Sequence, residues 1–178
     1  MNTFLKTSVC FALAYLCTAC LPAHSQSIPA DAIKGDFNGD GKPDYVWIVK
    51  PALNTAQDDC DGPCVVHIKS TIKGAEDIVV KQAIGGTLTN LGDLKGNRHD
   101  EIGFLPEWFT SCWRGYLTYQ VKANQWQPLT ESIPTHCNLW EAGVFPITKL
   151  KGNPGVVQIN YSVIDGDSIL VKTKFVKL

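Results

Sequence analysis

The sequence predicts an all-β domain, and three observations carry that prediction. Short runs rich in Val, Ile and aromatic residues alternate with Gly, Asp, Asn and Pro clusters throughout residues 26–178. No stretch of about ten residues or more carries a helical period of apolar positions. Three turn-like segments recur at a nearly constant spacing: Gly39, Gly96 and Gly152 fall 57 and 56 residues apart, and each turn leads into an apolar strand. A repeat of that length holds one four-stranded unit with its connections, the size of a propeller blade. The 178 residues have room for about two and a half such units, fewer than a closed propeller needs. The expected architecture is therefore a partial β-propeller-like array or a compact antiparallel sheet domain, with a homodimer as one way to supply missing edges.

At the N-terminus, Lys6 precedes the mostly apolar stretch Ser8 to Leu21, which reads as an export signal and is too short for a comfortable membrane span. Two processing sites compete. Ala23-His24-Ser25 places small residues at −3 and −1, which makes residues 1–25 a signal peptide and 26–178 the mature domain. The alternative is a lipoprotein signal ending before Cys20, which would then be lipidated. That site prefers an aliphatic residue where Cys17 stands, so side-chain size favours the first. Either route places the body outside the cytoplasm, periplasmic or secreted or anchored to the outer membrane, with no transmembrane span left after cleavage.

The strands follow in order. Asp44–Lys50, Cys64–Ser70 and Asp77–Gln82 are short Val- and Ile-rich runs bounded by turn residues. Glu101–Leu105, Trp113–Lys122 and Gln125–Leu129 repeat the arrangement, with Ala123-Asn124 as a hairpin turn. Val156–Val163 and Ser168–Val176 are joined through Asp165-Gly166-Asp167, a strong hairpin signal because Gly tolerates the positive φ that tight turns require.

Cysteine usage agrees with export. Beyond the leader stand Cys60, Cys64, Cys112 and Cys137, an even set that points to two disulfides in an oxidising compartment. Four cysteines allow three connectivities. Local closure favours Cys60–Cys64 with Cys112–Cys137, because short loops lose less entropy on closing, although a Cys-x3-Cys bridge is tight. Zinc is the rival reading, weakened by the lack of paired Cys-x2-Cys spacing. The formal net charge is −1, and loss of Lys6 with the leader makes the remainder slightly more negative. Such a chain has no electrostatic footprint for nucleic acid or an anionic membrane.

The most specific motif is Asp36-x-Asn38-x-Asp40-Gly41-x-x-Asp44. Calcium is a hard cation that takes six to eight oxygens. In this spacing the side chains of Asp36, Asn38, Asp40 and Asp44 turn inward together, the carbonyl of Lys42 falls at relative position 7, and Gly41 permits the sharp turn. Trp47 stands where an EF-hand carries its bidentate Glu, and a strand follows rather than a helix. An Asx-rich turn without metal would use the same residue types, but four oxygen-bearing side chains at these offsets favour a structural Ca2+. In the second copy Lys95 takes the position of Asn38, leaving Asp93, Asn97 and Glu101, and the third copy has no carboxylate. Both read as turns that kept their shape and lost the metal.

Gly35-Asp36-Phe37-Asn38-Gly39-Asp40-Gly41-Lys42-Pro43-Asp44-Tyr45 resembles the calcium loop of FG-GAP or VCBS-type repeats, which are blades of β-propellers such as integrin head domains. The detailed match covers about 14 residues, with weaker echoes at the two later copies. The resemblance implies a calcium ion that pins a loop between strands.

For function, the second repeat is richest. Phe104, Trp108, Phe109, Trp113, Tyr116, Tyr119, Trp126 and Trp140 crowd together with Glu107, Arg114 and Glu141. Most of these rings are expected in the core. Pro106 to Thr110 reads as a loop between strands, and Glu107, Trp108, Phe109 and Arg114 are the residue types of a protein-binding hot spot. The connection from Pro51 to Pro63, with Asp58, Asp59 and Asp61 around Cys60, reads as a stapled solvated loop or an acidic patch facing a basic cleft. Motifs of hydrolases, zinc proteases and phosphate loops are missing, so no catalytic residue is assigned. The format of export signal, single calcium loop, β-repeats and disulfides is similar to small exported immunity proteins that block lysozyme-like enzymes. The expected function is a non-catalytic module that binds a protein partner, as a periplasmic inhibitor of a cell-wall-degrading enzyme would; a carbohydrate- or peptidoglycan-binding module is the alternative, and a hydrolase the third reading.

Overall fold

A computed structural model describes residues 27–54 and 56–178. The signal peptide assigned to 1–25 and the Cys20 alternative lie outside the described residues. Each repeat-opening turn closes an antiparallel hairpin, and each hairpin starts a sheet. β1 (Ile33–Gly35) pairs with β2 (Asp44–Val49). After a small excursion, β3 (Leu53–Asn54) with β4 (Asp59–Cys60), the chain returns as β5 (Val65–Ser70) and β6 (Ile78–Lys81), giving the order β1-β2-β5-β6. Sidedness follows the period of two: in β6, Ile78 and Val80 are buried while Val79 is exposed.

The second sheet runs in chain order through β7 (Gly85–Gly92), β8 (Glu101–Glu107), β9 (Trp113–Lys122) and β10 (Gln125–Pro128), with β11 (Ile133–His136) on the first half of β9. A single turn of helix, α1 (Cys137–Glu141), follows, capped by His136, whose Nδ1 accepts the Asn138 N–H at 3.3 Å. The third sheet is β12 (Ile147–Lys149), β13 (Val156–Asp165) and β14 (Ser168–Lys177). All pairings are antiparallel, and none of the sheets closes into a barrel. No helix among the described residues is long and apolar enough to cross a membrane.

The three turns share a backbone shape as well as a spacing. Gly39, Gly96 and Gly152 all take the left-handed conformation, at φ of 74°, 77° and 80°. Only a residue without Cβ adopts that conformation at no steric cost, which accounts for the recurrence. The residue after the first turn position then drops into the interior: Phe37 is fully buried in the first turn and Leu94 nearly so in the second. Phe37 belongs to the cluster between the first two sheets, with Val46, Ile68 and Phe104, and its ring lies 5.9 Å from that of Trp126. Leu94 belongs to the cluster between the second and third sheets, with Tyr116, Ile133 and Val157. Burying a side chain of this size stabilises by roughly 1.5–3 kcal/mol, so the first two turns are each held to the core by an apolar plug.

The strands read from sequence are present to within a few residues. Ala123 and Asn124 form the expected hairpin turn, both at positive φ (51° and 58°), and Asp165 pairs directly with Ser168 around a two-residue turn. The cysteines pair as local closure favours: Cys60 with Cys64, Cα atoms 5.4 Å apart, and Cys112 with Cys137, 4.7 Å apart. One reading is corrected. Pro106 and Glu107 are not loop but the end of β8, opposite Gly86 and Gly85. Pro106 is tolerated because β9 pairs β8 only from Ile102 to Phe104, so no neighbour on that side needs its missing N–H.

Candidate functional site

The acidic turn of residues 36–44 is closed where Gly35 pairs with Asp44. Inside it, Gly41 N–H donates to Asp36 Oδ2 at 3.0 Å, Asp40 N–H to Asn38 Oδ1 at 2.9 Å, Lys42 N–H to Asp40 Oδ1 at 2.8 Å and Asn38 N–H to Asp44 Oδ2 at 3.3 Å. The side chains curl over their own backbone, as Asx residues do in tight turns. Two features exceed an ordinary turn. Asp36 Oδ1 is buried without a hydrogen-bond partner, a costly state for a carboxylate oxygen. Asp44 is only 7% exposed; burial pushes its carboxyl above the ordinary range, and the nearby charges of Asp40 and Asp36 push the same way against the N–H groups of Asn38 and Phe37. An orphaned carboxylate oxygen in a turn of hard oxygen donors is chemistry compatible with a hard divalent cation.

The second turn shows what replaces such a set. Asp93 accepts three backbone N–H groups, from Gly96 at 2.6 Å, Asn97 at 3.0 Å and Arg98 at 2.9 Å. Burial alone would raise its carboxyl, but these N–H groups and the Lys149 ammonium outweigh burial and hold it below the ordinary range. Lys95 turns away to Gln120 Oε1 at 2.7 Å. Glu101, at the position of Asp44, is 1% exposed and accepts the Leu94 N–H at 2.7 Å. Burial pushes its carboxyl up to about 7. Here backbone donors satisfy the carboxylates of Asp93 and Glu101.

Other groups of metal-ligating side chains meet at the disulfides. Cys112, His136 and Cys137 bring one donor each within 4.8 Å of one another, as do Asp59, Cys60 and Cys64. In both, the sulfurs are joined to each other, so no thiolate is left for zinc. The carboxylates of residues 36–44 do not form such a group; they take the backbone N–H groups described above.

The aromatic site arises because β8 and β9 part company. Their ladder ends at Phe104 and Leu117, after which the start of β9 turns to pair with β11. The gap is a cleft of ≈320 Å³ lined by Gln82, Glu107, Trp108, Trp113 and Arg114, among others. Of the four partner-binding residues read from sequence, Glu107, Trp108 and Arg114 meet in this cleft. Phe109 stands outside the lining and supports Trp108 edge-on, with ring centroids 5.3 Å apart. Trp108 and Trp113 are 36% and 38% exposed, whereas Phe104 and Tyr116 are buried.

The cleft wall is braced. Trp113 lies edge-on to His136, its cross-strand neighbour, at 5.0 Å. Arg114 Nε donates to Ser111 O at 3.3 Å, and its guanidinium sits 4.4 Å from the centre of the Trp140 ring. The Cys112–Cys137 bond ties the loop before β9 to the start of α1. Gly85, opposite Glu107, leaves room for the carboxylate: a Cβ there would lie 2.9 Å from Glu107 Oε2. Trp113 could be found from its place beside Cys112, but nothing in the sequence marks Gln82, which reaches the cleft from the turn after β6.

Fold and site together define a disulfide-bonded all-β protein of consecutive antiparallel sheets, with an acidic turn in its first hairpin and an aromatic cleft in its second sheet. Comparison with known proteins finds no family model, curated protein or solved structure that matches the chain.

Proposed function

We propose that the protein is an exported, non-catalytic binding module of the FG-GAP or VCBS type, whose first turn holds a structural calcium ion and whose aromatic cleft receives a protein partner. The observation that carries the binding reading is the pairing of Trp108 and Trp113, both over a third exposed, with Glu107 and Arg114 around one cleft. Exposed Trp and half-buried Arg in a recess are the residue types that dominate protein-binding energies. The lining is concave, so the partner supplies the inserted side chain. The partner class favoured by the format of the chain is a secreted cell-wall-degrading enzyme.

Calcium would be held by Asp36, Asn38, Asp40 and Asp44 with the Lys42 carbonyl, and would supply charge neutralisation within the turn. The orphaned Asp36 Oδ1 supports this reading. Three successive meanders, each opened by the same turn, support a partial propeller of two and a half blades.

A second reading, carbohydrate recognition, draws on the same cleft, since Trp faces beside Glu107 and Gln82 would stack and hydrogen-bond a sugar ring. Inhibition of lysozyme-type enzymes at stoichiometric protein, lost in W108A and W113A, supports the protein-partner reading. Retention on purified peptidoglycan without inhibition would replace it with the second.

A further inference from the structure

The third sheet ends on an open edge. β14 pairs with β13 along all ten of its residues, and the order β12-β13-β14 leaves its other side without a strand among the described residues. The first sheet has four strands and the second five, so the third is the narrowest of the three. From Leu170 to Phe175 every residue is exposed, and Phe175, Leu170 and Val171 are 61%, 41% and 43% accessible. A long apolar edge strand is a template for a further strand.

Two observations say what that strand is. The first is charge. β14 carries Lys172, Lys174 and Lys177 and no carboxylate. Pairing β14 with itself about a two-fold axis near its centre brings Lys172 and Lys174 close to their own copies, and edge lysines are how natural sheets block such pairing. The same row attracts carboxylates. The second is a groove of ≈500 Å³ along one face of β14, with Ile159, Tyr161 and Val176 on one side and Leu129 and Pro134 on the other. Lys174 and Lys177 border it, with Glu131 in the opposite wall. Lys174 and Val176 share a face of β14, so alternate side chains of an added strand would stand over this groove.

We infer that β14 is a docking edge for an extended acidic segment of a partner protein, which adds as a strand and seats alternate apolar side chains in the groove beside Tyr161. Main-chain bonds to β14 supply affinity, the groove selects side chains, and the lysines select charge. The site is separate from the aromatic cleft and stands whether or not the cleft binds a protein.

The test uses the whole exported chain and a synthetic nonapeptide alternating Glu with Val, Leu and Thr, against its Lys-for-Glu counterpart. Fluorescence anisotropy is expected to show saturable binding of the acidic peptide, weaker by about tenfold or more for the basic one. Hydrogen exchange should slow on binding at amides within 168–177, and N-methylation of alternate peptide amides should abolish both effects. K172E/K174E should reverse the charge preference; K172E alone, which leaves the Lys174 ammonium over the Tyr161 ring at 5.5 Å, should weaken binding of the acidic peptide in the same direction. Equal binding of both peptides, or binding without protection of β14, overturns the proposal. Concentration-dependent protection of β14 in the absence of peptide would show self-pairing and overturns it too.

Discussion

Asp36 and Asp100, 64 residues apart, grip each other in both directions: the Asp36 N–H donates to Asp100 Oδ2 at 3.1 Å, and the Asp100 N–H donates to Asp36 O at 2.9 Å. Asn90 Nδ2 completes the junction, donating to Asp100 Oδ2 at 3.1 Å and to Lys34 O at 2.9 Å. The acidic turn is thus held by the second sheet as well as by its own hairpin. Asp100→Ala removes the acceptor that serves both donors. It should cost about 1–3 kcal/mol in chemical denaturation, while Asp100→Asn, which keeps an oxygen, should cost less. An equal loss in both variants would show that the charge rather than the acceptor matters.

Glu101 sets a pH dependence. Burial, reinforced by Asp93 and Asp100, raises its carboxyl from the ordinary 4.5 to about 7, against the Leu94 N–H and Lys95. A raised folded-state value means that the folded protein keeps a proton the unfolded chain gives up. The stabilisation is fully present below about 4.5 and is lost as pH rises through about 7. Glu101→Gln keeps an acceptor for Leu94 and carries no charge. Its stability relative to wild type should rise by on the order of 1–3 kcal/mol between pH 4 and pH 8; a pH-independent difference would contradict this account.

The two disulfides should differ in worth. Cys112–Cys137 spans 25 residues and Cys60–Cys64 spans 4. Constraint of the unfolded chain grows with loop length, so C112A/C137A should cost about 2–4 kcal/mol and C60A/C64A less. Thermal melts of the two double variants check the order.

Trp108 and Trp113 stand in the cleft rather than the core. Replacing either with Ala should change stability by much less than replacing buried Phe104, which should cost about 3–5 kcal/mol. A partner that uses the cleft should bind either variant at least about thirtyfold more weakly, the level of a 2 kcal/mol hot spot. Titration calorimetry against the partner, alongside melts of the same variants, separates the two effects.

What was legible in the sequence depended on how local the cause was. The turn glycines, the Asp165–Ser168 hairpin and both disulfides follow from nearby residues, and they stand where expected. β7 was hidden because Gly85, Gly86 and Gly92 dilute its strand signal. The grip of Asp100 on Asp36, and the parting of β8 from β9 that opens the cleft, are tertiary events. No periodicity records them, which is why Pro106 and Glu107 read as loop and Gln82 went unmarked. Glu107, Trp108 and Arg114 were recoverable from residue type alone, but their meeting in one recess was not.

The central claim, that residues 36–44 hold calcium, is tested most directly by calorimetric titration of the chelator-stripped protein with Ca2+. The account predicts one ion per chain with a rise in Tm, and loss of both in Asp36→Ala and Asp40→Ala. No heat and no shift at millimolar calcium in a protein whose β-sheet spectrum is intact would contradict it.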